Sequence, residues 1–106
     1  MAVRLPVNTE SSFTLATTCT LLTGVAPAAL RRRFGDPKPR TLIVWSSTVG
    51  VYLVTGVADG AALPTEGRRD IGTVSAGSPI EIDITPYATI LLAGSSAGTA
   101  RVELRS

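Results

Sequence analysis

The sequence predicts an all-β domain, a single antiparallel β-sandwich or small barrel. Three observations carry that prediction. Short segments alternate apolar and polar residues with a period of two. The apolar positions are rich in β-branched residues and Leu, and Gly, Pro and Ser/Thr signals punctuate the chain at strand-length intervals. The 106 residues fit one domain, and 44% hydrophobic against 17% charged residues favours a folded core over a disordered chain.

Taken in order, the first ten residues, MAVRLPVNTE, show no pairing signal. They are expected to form an N-terminal arm that orders on assembly, leaving 11–106 as the sandwich. SSFTLATTCTLLTG sets Phe13, Leu15, Thr17, Cys19 and Leu21 on one face, and its Thr density disfavours helix. PAALRRRFGD, with Pro27 at its start and Gly35 as a stop, predicts one short helical turn at about 27–34. RTLIVWSS and VGVYLVTG read as the two strands of a hairpin, with Trp45 as a core-strand residue. ADGAALPTEGRRDIG reads as a long exposed connection with Arg68 and Arg69 at its tip. PIEIDIT places Ile80, Ile82 and Ile84 on one face and Glu81 and Asp83 on the other. ATILLAG is a short apolar strand, and TARVELRS turns Ala100, Val102 and Leu104 inward and Arg101, Glu103 and Arg105 outward. These last three segments read as a meander. The expected core is Leu42, Val44, Val51, Leu53, Ile80, Ile82, Ile84, Leu91, Val102 and Leu104.

The residue inventory argues against catalysis. The chain has no His, hence neither the commonest general base nor the commonest metal ligand. Its single Cys19 lacks an activating neighbour and reads as a small core or strand residue. Glu81 and Asp83 would project about 7 Å apart from one strand face, a spacing that glycosidases use. Alternation alone, however, produces that pattern on any solvated strand. Ser and Thr are abundant without a base to activate them, and Lys38 lies between prolines in a basic loop. GRRDIG and GSSAG lack the strand-to-helix setting of a phosphate loop. The expectation is a non-enzymatic protein with no metal and no cofactor. No signal-peptide run or membrane-spanning stretch of about 20 apolar residues is visible, so a soluble protein made in the cytosol is expected.

The most unusual stretch is LRRRFGDPKPR, residues 30–40, which holds five of the ten cationic side chains and one acid, Asp36. A formal charge of +2 is too small to make the whole molecule a polyanion binder, so the role is local. Three consecutive Arg residues do not form one continuous phosphate track, and Phe34 is the only aromatic among them. Arg suits bidentate carboxylate pairing, and two prolines lower the ordering cost of a docking loop. A protein interface is therefore expected at Arg31, Arg32, Arg33, Phe34, Lys38 and Arg40, joined by Arg68 and Arg69. A solvated loop and a nucleic-acid contact are the competing readings.

Residues 41–104 carry a recognisable sequence of patterns. An apolar strand ending in Ser/Thr precedes VGVYLVTG, a polar loop leads to SAGSPIEIDI, and the close is an apolar strand followed by GTARVEL. This stretch resembles small β-sandwich structural proteins of tailed-bacteriophage virions. The resemblance implies a capsid decoration (cement) protein that binds and stabilises the assembled head. Its implied partners are the major capsid protein or other virion proteins, together with copies of itself in a homo-oligomer. The implied location is the virion, after synthesis in the host cytoplasm. A tail, fibre or head–tail connector component is the first alternative, and a carbohydrate-binding β-sandwich module the second. Nucleic acid and membrane are not expected partners. The pattern has no fixed site, so no functional residue carries over from it.

Overall fold

Period-two alternation along the chain becomes two facing sheets. The computed structural model describes residues 2–25 and 39–106, and these are all-β. The strands are β1 (Val3–Pro6), β2 (Ser11–Leu15), β3 (Thr20–Val25), β4 (Thr41–Ser47), β5 (Val51–Val54), β6 (Arg68–Gly72), β7 (Ile80–Asp83), β8 (Ile90–Gly94) and β9 (Gly98–Arg105). They form a five-stranded sheet of order β1-β3-β8-β5-β6 and a four-stranded sheet of order β2-β9-β4-β7. All pairs are antiparallel except β1 with β3, which is parallel. The short helical turn expected at about 27–34 lies outside the described residues.

Among the described residues, consecutive strands alternate between the sheets, and only β5 and β6 form a hairpin. This corrects two expectations. β4 and β5 are not a hairpin, and β7, β8 and β9 are not a meander. The short connections instead carry the chain across the roughly 10 Å between stacked sheets. One end is fastened by backbone bonds between these crossings: Gly94 N–H to Ala16 O (2.7 Å), Ser95 N–H to Gly50 O (2.9 Å) and Thr48 N–H to Thr99 O (2.9 Å). Gly98 is needed here because a Cβ would lie 2.7 Å from both Val49 Cγ2 and Thr48 Oγ1.

Three further segments differ from expectation. Residues 3–6 are not a free arm: they pair with β3, Leu5 is buried in the core, and Asn8 accepts from Ser106 N–H (3.2 Å) at the turn into β2. The Thr-rich stretch 11–24 is two strands, because the chain changes sheet at 16–19 and Thr17 is exposed there. Arg68 and Arg69 are not at a loop tip. They belong to β6, an edge strand whose position tolerates charge on both faces.

Between the sheets, Leu42, Val44, Val51, Leu53, Ile82, Ile84, Val102 and Leu104 pack with Phe13, Leu15, Leu22, Ile90 and Leu92. Each fully buried aliphatic side chain contributes about 1.5–3 kcal/mol. Of the expected core, Ile80 is half-buried at the margin, and Leu91 faces the other way. Leu91 joins Cys19, Val54 and Ala93 in a second core on the outer face of the five-stranded sheet, where Val57 and Leu63 pack against it. The segment that covers this face is held by Cys19 N–H to Ala61 O (2.8 Å), Gly60 N–H to Cys19 O (2.8 Å) and Leu21 N–H to Asp59 Oδ1 (3.0 Å). Cover on both faces explains why β8 is an uninterrupted apolar run. Cys19 is free and fully buried, as expected of it, and burial pushes its thiol pKa up.

Candidate interaction surface

Strand register gives the sandwich two distinct ends. One end holds the crossings at 16–19, 48–50 and 95–97 described above. The other holds the start of β4, the ends of β3, β7 and β9, and the start of β8, as the pairs Thr41 with Arg105, Thr41 with Asp83 and Leu22 with Ile90 require. The chain leaves the five-stranded sheet at Val25 and returns at Pro39, both at this second end. Arg31, Arg32, Arg33, Phe34 and Lys38 lie outside the described residues.

Arg40 is at the same rim, exposed, with its backbone fixed between two strands. Its N–H donates to Arg105 O (2.7 Å), and its carbonyl accepts from Ile84 N–H (2.9 Å). The side chain is therefore presented from an anchored backbone. Beside it lies an apolar pocket of about 140 Å³ lined by Leu22, Gly24, Pro39, Ile84, Tyr87 and Ile90, among others. Tyr87 is the one exposed large hydrophobic residue among those described, 36% accessible. An exposed aromatic beside a pocket and a cation is a common composition for an interface anchor. Tyr87 is not among the residues singled out from the sequence. Its place directly after Pro86, between two strands, was the signal that could have marked it as a loop residue.

The other two expected cations behave differently. Arg68 also lies at this end, opposite Val54, but its guanidinium stacks over the Tyr52 ring (4.5 Å to the centroid) and Nη1 donates to Pro64 O (3.3 Å). It staples the β5–β6 hairpin. Arg69 pairs with Leu53 and is exposed on the side of the sheet that faces its partner sheet. The structure thus gathers Arg40 and Tyr87 at one rim, and leaves Arg68 and Arg69 on a separate edge.

The outer face of the four-stranded sheet holds the carboxylates. Glu81 and Glu103 flank the buried Ile43, and Asp83 and Arg105 flank Thr41. Asp83 accepts from Thr85 N–H (2.9 Å), and hydrogen bonding to Thr85 holds its carboxyl below the usual aspartate range. Glu103 is the one buried charged residue among those described: Oε1 accepts from Trp45 Nε1 (3.2 Å) and Oε2 from Arg105 Nε (2.6 Å). The Glu103 bond, with Glu81 nearby, raises the Arg105 pKa further above neutrality. Trp45 is accordingly not a core-strand residue. With Leu42 and Val44 inward, strand parity and the register shift after Val44 leave it half-buried on the outer face. Among the described residues no three His, Cys, Asp or Glu side chains could hold a metal ion.

At the opposite end an open groove of about 610 Å³ is lined largely by hydroxyls, including Ser12, Ser46, Thr73 and Ser75, with Arg101 at its side. Several lining groups are already engaged. Ser47 Oγ accepts from Val74 N–H (2.9 Å), Thr48 Oγ1 accepts from Thr99 N–H (2.9 Å), and Arg101 pairs with Glu10. Comparison with family models, with curated proteins and with solved structures gives no match to this chain.

Proposed function

We propose that the protein is a non-enzymatic virion structural protein, a capsid decoration (cement) protein that binds the assembled phage head. The observation that carries this reading is the rim of the sandwich where the exposed Arg40 and Tyr87 lie beside an apolar pocket. Cations matched to carboxylates on the shell would supply specificity, and the aromatic and pocket would supply desolvated area. Many copies on a symmetric lattice gain by multivalency, so each contact can be modest. The resemblance of residues 41–104 to phage virion sandwiches supports the same class. A tail, fibre or head–tail connector role uses the same chemistry at a different place in the particle.

The test is co-sedimentation of the protein with assembled particles, using a triple variant in which Arg31, Arg32 and Arg33 become Ser. Each desolvated pair contributes on the order of 1 kcal/mol, so losing three weakens attachment about a hundredfold. The melting temperature of the free variant stays near that of the wild type. Full occupancy by the variant would remove the docking reading. A salt titration with mixed-sequence DNA separates the competing case, in which the wild type binds steeply salt-dependently and the variant flattens the slope.

A further inference from the structure

Among the described residues the two sheets present four edges, and three of them carry devices that discourage strand addition. β1 ends in Pro6 and carries Arg4. β6 carries Arg68, Arg69 and Asp70, has a register shift against β5, and ends at Gly72 with φ of 78°. β7 follows Pro79 and carries Glu81 and Asp83, which would meet as like charges in a two-fold pairing centred on Ile82. β2 has none of these. Ser11–Leu15 contains no charge, Pro or Gly, and all five residues pair with β9 without a register shift.

We infer that the edge of β2 with no partner strand among the described residues pairs antiparallel with β2 of a second copy, two-fold about Phe13, joining two four-stranded sheets into one. The sequence of this edge is self-complementary in that register. Ser12 falls opposite Thr14 of the second copy on the outer face, where both are exposed, so hydroxyl meets hydroxyl. Phe13 falls opposite its own equivalent, and Ser11 opposite Leu15, on the side of the core in which Phe13 and Leu15 are already buried. Glu10, paired with Arg101 of its own chain, falls opposite Ala16, so no like charges are brought together. A two-fold interface uses one patch on both copies, which this palindromic pattern satisfies without help from another protein. The pairing goes beyond the virion reading and does not rest on it. Failure of particle docking would leave it standing.

The test is sedimentation velocity of the full chain over a range of concentrations. The wild type is expected to approach twice the 11.0 kDa chain mass as concentration rises. S12K/T14K sets Lys against Lys across the new pair and weakens the association about tenfold or more. S12E/T14E does the same with Glu, and an equimolar mixture of the two variants recovers the doubled mass. Amide exchange within Ser11–Leu15 of the wild type slows with concentration, a readout that needs no variant. A wild type at 11.0 kDa throughout, variants that associate like the wild type, a mixture that stays monomeric, or concentration-independent exchange would each overturn the inference.

Discussion

Replacing Glu103 by Ala removes the carboxylate that Trp45 and Arg105 share, and it separates a structural from a chemical role for this group. Glu103 is 7% exposed, and Arg105 about half exposed, so most of the cost arises on the buried side. Losing a charged acceptor for the Trp45 N–H costs about 1–2 kcal/mol. Removing the packed stem costs about 1 kcal/mol more, and relief of carboxylate desolvation offsets part of it. The sum for Glu103→Ala is about 2 kcal/mol. Glu103→Gln keeps the stem and an acceptor and should cost about half that. Trp45 is the only Trp in the chain, so urea unfolding followed by its fluorescence reads the site directly. With a urea slope of about 1–3 kcal/mol per molar, the Ala midpoint should fall by about 1 M. A Glu103→Ala loss below about 0.5 kcal/mol, the range of an ordinary surface change, would refute the network as a structural element.

Two other outcomes follow from the same geometry. Leu91→Ala should cost about 2–5 kcal/mol, matching Leu92→Ala, because both are fully buried on opposite faces of β8; a Leu91→Ala cost under 1 kcal/mol in denaturant unfolding would contradict the second core. Asp59 and Asp83 have carboxyls held below the usual aspartate value, Asp59 chiefly by the Leu21 N–H and Asp83 by Thr85. The stability they add is present above the unfolded-state pKa near 4 and is lost as pH falls through their lower folded values. Asp59→Asn should therefore flatten the acid limb of the stability–pH curve, and an unchanged limb would refute that linkage.

Most strands were legible because burial on one face imposes alternation. Ile82/Ile84 and Val102/Leu104 are examples, and the inward parity of Leu42/Val44 and Val51/Leu53 was also correct. Which strand pairs with which was not legible. A short connection such as 48–50 serves a hairpin or a crossing equally well, and alternation does not name the opposing sheet. β6 was hidden because an edge strand tolerates RRD, and β1 because four residues ending in Pro give little periodicity. Glu103 was correctly turned outward, yet its burial depends on Trp45 and Arg105 meeting it across the face. That meeting is set by register rather than by local sequence. At the candidate surface, Arg40 was singled out from the charge run. Its proximity to Tyr87 required knowing that the β3, β4 and β8 termini share one end.

The most direct measurement is a density reconstruction of intact particles. The sandwich is expected on the outer surface of the assembled head, seated by the rim that carries Arg40 and Tyr87, with that rim facing acidic side chains of the shell. Its absence from the head, or seating by the opposite end where Gly50 and Ser95 meet, would contradict the proposed function.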